Sequence, residues 1–119
     1  MAKVFHVVPH DVWLKKENNI DGFYTPTSIG TDGFIHLCKA DQIKDVLGNF
    51  FKGFEKVILL RIDENKIMDN LKYEAPLEAP HSETLYPHLY SALDLKFIEK
   101  EFRIVKERGE FIIPGGLLK

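Results

Sequence analysis

The 119-residue sequence predicts a small α+β domain with a strongly bent or split, mostly antiparallel sheet and two main helices. Three observations carry this. Short β-prone runs recur along the chain, at VFHVV (4–8), FIHLC (34–38) and VILLRI (57–62). One clear helical stripe stands among them, over 40–51. Prolines and glycines crowd two segments, 22–33 and 76–87, that separate the periodic runs. A chain of this length, 45% hydrophobic, is expected to form a single domain spanning 1–119. At this size folding buries ~65% of the unfolded surface, so no disulfide or metal staple is needed.

The elements follow in order. VFHVV is a strand ended by Pro9, which suits the first position of a helix. That short helix runs from Asp11 to Glu17, is anchored by Val12 and Trp13, and is ended by Asn18, Asn19 and Gly22. Residues 22–33 read as an irregular surface loop with at most one short strand. FIHLC is a second strand. From Ala40 to Phe51 the apolar residues Ile43, Val46, Leu47, Phe50 and Phe51 fall on one helical stripe, and Gly53 suits a C-terminal cap. VILLRI is continuously apolar, as in a central strand covered on both faces. Asp63 to Met68 forms a turn or short helical piece, and Lys72 to Ala75 a strand. Pro76, Pro80 and Pro87 make 76–87 a loop. Leu95 to Val105 alternates imperfectly. After an Arg108–Gly109 turn, Phe111 to Ile113 is the last strand.

Charge and cysteine content narrow the function. Sixteen Lys and Arg against 18 Asp and Glu leave a net charge of −2, which argues against general nucleic-acid binding. One cysteine forms no internal disulfide and suits a reducing, cytoplasmic compartment. No stretch approaches the ~18 apolar residues of a membrane span, and the first residues do not read as a signal peptide.

Five histidines are the conspicuous chemical feature. His6 and His36 each sit inside a short strand and face away from their apolar neighbours. Each alone reads most simply as a solvent-facing or hydrogen-bonded core histidine; two in neighbouring strands raise the weight of a site. A three-histidine metal site from His6, His36 and His88 is the outsider, because no Cys pair or His-Glu-x-x-His helix supports it, and no metal is expected. Cys38 suits a small buried residue at a helix start better than a nucleophile. In KYE (72–74) and YPHLYS (86–91), Glu74 ends a strand and His88 lies among Tyr86, Pro87 and Tyr90. Such rings offer a platform for a flat ligand; their plainer role is to fill a core under the loop.

DGFIHLC (32–38) with YPHLY (86–90) resembles the bacterial family known as domain-of-unknown-function family 952. VFHVV, ADQIKDVLGNFF (40–51), VILLRID (57–63), KYE and FIIP (111–114) extend the resemblance in order over nearly the whole chain. The family usually has Ser at the place of Cys38 and Gly at that of Ser91. Its fold is similar to that of ADP-ribosyltransferases and NAD-using RNA 2′-phosphotransferases, in which a split sheet clamps NAD. The resemblance implies that His6 holds a ribose and that His36 supports the nicotinamide. It implies that Glu74 orients the attacking nucleophile, with His88 and Tyr90 completing the NAD pocket. The chain departs from the phosphotransferases at His6-Val7-Val8, where they carry His-Gly-Thr. It departs again at Asp32–Gly33, where they carry arginines, so an RNA 2′-phosphate is not the expected substrate. Two readings follow: an ADP-ribosyl-type enzyme or former enzyme binding NAD or a related nucleotide, or a non-catalytic small-ligand-binding domain.

Overall fold

The computed structural model describes residues 2–119. Its centre is β6 (Lys56–Asp63), the VILLRI run, which lies between β1 (Lys3–Pro9) and β10 (Ile98–Glu107). With β5 (Cys38–Lys39) beyond β1 and β11 (Glu110–Phe111) beyond β10, these form a five-stranded antiparallel sheet in the order β11-β10-β6-β1-β5. Both faces of β6 are covered, which is why its sequence does not alternate. On one face Ile58, Leu60 and Ile62 pack with Val4 and Val8 against Trp13, Ile35, Leu37 and Leu89. On the other, Val57 and Leu59 join Phe5 and Val7 against Ile43 and Leu47 of a helix. Each such fully buried aliphatic side chain contributes roughly 1.5–3 kcal/mol of transfer free energy.

Two smaller antiparallel sheets complete the strands. One is β2 (Asn19–Ile20), β3 (Phe23–Tyr24) and β9 (Leu93–Asp94), in that order. The other is β4 (Ile35–His36), β8 (Tyr86–Leu89) and β7 (Leu71–Glu74), with β8 in the middle.

The helices are shorter than the sequence predicts. α1 covers His10–Lys15: it starts one residue before Asp11, with Pro9 closing β1 and standing as its N-cap, and Lys16 adopts a left-handed conformation (φ 56°) that stops it before Glu17. Residues 22–33 hold more than a loop: β3 and the one-turn α2 (Ser28–Asp32), closed by Gly33 at φ 89°. The predicted 40–51 helix begins as a 3-10 turn, Ala40–Gln42, and becomes α3 (Ile43–Phe50), ending three residues before Gly53. The reason lies in Gln42. Its Oε1 accepts from the Lys39 amide at 2.9 Å, while its Nε2 donates to the Leu85 carbonyl at 2.9 Å, tying the helix start to the end of the proline loop.

FIHLC is not one strand. Residues 35–36 pair with β8 and residues 38–39 with β1, so the run changes sheets at Leu37. The loop ends before Tyr86, since Tyr86 and Pro87 already belong to β8. β10 begins at Ile98 after a 3-10 turn over Leu95–Phe97, and β11 keeps only two residues. Among the described residues no helix is long and apolar enough to cross a membrane.

Candidate functional site

The change of sheets at Leu37 opens the site. β5 covers only Val4 and Phe5 of β1, and the Leu37 amide donates to the Pro87 carbonyl at 3.1 Å, drawing the chain towards β8. Residues 5–9 of β1 then line a cleft of about 650 Å³ together with His36, His88, α3 residues such as Val46 and Phe50, and Pro76, Glu78 and Ala79 of the proline loop.

His6 is a buried polar group in that cleft wall. Its Nδ1 lies 2.8 Å from the His36 carbonyl oxygen and its Nε2 2.7 Å from the Tyr24 hydroxyl. A carbonyl only accepts, so Nδ1 carries the proton and donates. Nε2 of the neutral ring must then accept, so the Tyr24 hydroxyl donates to it. Burial drives the His6 pKa down to about 4, against the raising effect of its bond to the His36 backbone. Burial also pushes the Tyr24 hydroxyl pKa up. Trp13 packs edge-on against Tyr24, ring centroids 5.4 Å apart, and fixes it.

His36 and His88 face each other across β4 and β8 as direct register partners, with ring centroids 5.7 Å apart. Each imidazole is held by a carboxylate. His36 Nε2 donates to Asp32 Oδ2 at 2.7 Å, and His88 Nδ1 donates to Glu74 Oε1 at 2.9 Å. The carboxylates fix the tautomers. In the neutral rings Nδ1 of His36 and Nε2 of His88 are the nitrogens left as acceptors. His88 is only 3% exposed, and Phe34 stacks on its ring at 3.9 Å and 17°. The Tyr90 hydroxyl also donates to Glu74 Oε1. That bond, followed by the one from His88, holds the Glu74 carboxyl below its usual range, and the same contact raises the Tyr90 hydroxyl. Chemically, a carboxylate-oriented imidazole of this kind can take a proton from a bound hydroxyl or return one to it.

His6, His36 and His88 therefore line one cleft. Glu74 and Tyr90 do not line it; they stand behind His88 and orient it. Cys38 lines the cleft, but burial, with Asp41 nearby, pushes its thiol up to about 12. It is no thiolate nucleophile. A three-histidine metal site is not formed, because His6 spends both ring nitrogens on protein partners. Among the described residues no three His, Cys, Asp or Glu side chains group as metal ligands.

Three contributors escape sequence reasoning: Tyr24, Asp32 and Phe34. Asp32 is four residues before His36 and Phe34 is two before it on the same face, so local spacing held a signal for both. Nothing local ties Tyr24 to His6, eighteen residues away.

The family model described as "Protein of unknown function (DUF952)" matches residues 7–101. No curated protein matches the chain. Among solved structures, the crystal structure of protein CC0527 from Caulobacter crescentus is similar, with a TM-score of 0.77 and 21% identity over 92% of this chain and 93% of that one. The solution structure of the same protein gives 0.70 and 22%, over 93% and 91%. At such identity the likeness shows the fold: a small domain of curled, mostly antiparallel sheets with few helices. Since the family model spans most of the sequence, from within β1 to within β10, the chain belongs to the DUF952 family, proteins of unknown function.

Proposed function

We propose that the cleft is a ligand site of the ADP-ribosyl type, taking the nicotinamide–ribose end of NAD or a related nucleotide. The observation that carries this reading is the convergence of three histidines, from three strands of two sheets, on one largely apolar cleft of about 650 Å³. That volume lies within the roughly 300–1,000 Å³ of small-molecule sites, and apolar walls with a few oriented polar groups are their usual composition. In this reading His6, locked by Tyr24, shapes the floor. His36 and His88 meet the ribose hydroxyls or the carboxamide. Glu74, steadied by Tyr90, positions His88, whose Nε2 is the group suited to accept a proton from an attacking hydroxyl. Glu74 then acts through His88 rather than on the nucleophile itself. The lone thiol also suits a reducing, cytoplasmic setting.

A non-catalytic form of this reading is favoured by Val7 and Val8. Both line the cleft, directly after His6, where a closely approaching dinucleotide needs small residues. Calorimetric titration with NAD, ADP-ribose and nicotinamide, paired with an assay of nicotinamide release, tests both forms. Binding should be detected and should weaken about tenfold or more in His36→Ala, as expected for a lost hydrogen bond with an unmet partner. Release of nicotinamide assigns an enzyme and binding without release a binding domain. No binding of any of the three, nor of nicotinamide riboside, ends the proposal.

A further inference from the structure

The three histidines of the cleft and Tyr24 have spent their protons inside the protein. His6 gives its N–H to the His36 carbonyl, His36 gives its own to Asp32, and His88 gives its own to Glu74. Tyr24 gives its hydroxyl proton to His6. On these four groups lone pairs are what remain: on His88 Nε2, on His36 Nδ1 and on the Tyr24 oxygen. Charge points the same way. Among the described residues, none that lines the cleft is Lys or Arg, and Glu78 is the one charged side chain in the lining. Asp32 and Glu74 add two carboxylates in direct contact with the lining imidazoles. Burial keeps His6 uncharged.

Phosphate recognition needs the opposite. A phosphate brings acceptor oxygens and negative charge, and sites that hold it supply Arg or Lys, or converging backbone N–H groups. Thr27, Ser28, Asn18 and Asn49 line the cleft and can meet a hydroxyl, but they carry no charge to offset a phosphate dianion. A ribose brings hydroxyl donors and a carboxamide or amino group brings N–H donors. An uncharged or cationic aromatic base suits the acceptor-rich, net negative surroundings and the rings of Phe5, Phe50 and Tyr86.

We infer that the interior of the cleft takes an unphosphorylated ribonucleoside, with a neutral or cationic base, and excludes phosphate. This rests on the reading proposed above, in which the cleft takes a nicotinamide–ribose end. It differs from that reading over NAD: base and ribose suit the residues present, whereas the pyrophosphate finds no cationic side chain among them.

Calorimetry on the full chain at low salt and pH 7.5 compares nicotinamide riboside with its 5′-phosphate and with NAD, and adenosine with its 5′-monophosphate. The nucleoside of each pair should bind at least tenfold tighter. Raising the salt should narrow the gap by screening the repulsion. Glu78→Lys should raise affinity for the 5′-phosphates severalfold. Phosphorylated ligands binding as tightly as the nucleosides, or tighter, would overturn this inference and leave the nucleotide reading standing. If none of the five ligands binds, the nucleotide reading falls and this inference with it.

Discussion

His6 shows how much one side chain can encode. Protonating it brings a charge into the core and forces the Tyr24 hydroxyl to stop donating. Its pKa, about 4 in the fold against 6.5 in the open chain, makes folding pH-dependent in a defined direction. The unfolded chain binds the proton more readily between those values. The stability His6 contributes is therefore complete above pH ~6.5 and is lost as the pH falls towards 4, by up to about 3 kcal/mol. The ¹⁵N signals of its ring should stay those of a neutral imidazole from pH 8 down to pH 5. A titration midpoint near 6.5 would show that the ring is not sealed in. At this scale the sequence displayed the histidines through strand alternation. It could not display their partners. The Tyr24–His6 bond joins residues 18 apart and the His6–His36 bond residues 30 apart, and no periodicity reports such pairs.

Among the elements, those with a strong internal pattern were legible. VILLRI reads as a two-sided buried strand and is one, because continuous apolarity has a single physical meaning at that length. The α3 stripe was also readable, although a tertiary contact moved its start: Gln42 takes up Lys39 and Leu85, and the first turn tightens to 3-10. FIHLC misled, since alternation says which side a residue faces but not which neighbouring strand it pairs with. The helix offers a direct comparison. Leu47 is 2% exposed and packs against the central sheet, whereas Phe50, one turn on, is 55% exposed at the cleft. Leu47→Ala should lower stability by ~2–5 kcal/mol through the cavity it leaves. Phe50→Ala should cost well under half of that, as judged by urea unfolding of both variants. Equal losses would mean that Phe50 is part of the core.

For the molecule as a whole, protection should follow the sheet order. β6 is paired along its length on both sides, by β1 and by β10, so the amides of residues 58–62 should exchange only through global unfolding. The segment between Glu74 and Tyr86 has local hydrogen bonds, in turns at Pro76–Ala79 and Ala79–Ser82 and between Ser82 and Thr84, before Leu85 is caught by Gln42. Amides of residues 77–84 should exchange orders of magnitude faster in hydrogen-exchange mass spectrometry. Protection there matching that of β6 would mean that the loop is folded into the core. The α+β class and its antiparallel character were legible from composition and periodicity. The division into three sheets was not, because it depends on where one strand leaves its neighbour. That departure, at Leu37, has a consequence for change over time. The two walls are riveted together by main-chain bonds, β5 to β1 on one side and β4 to β8 on the other. Main-chain bonds do not depend on which side chains line the gap. Substitutions among the lining residues can therefore alter what the jaws grip while leaving their spacing untouched, so one frame can be refitted for different small molecules without being rebuilt.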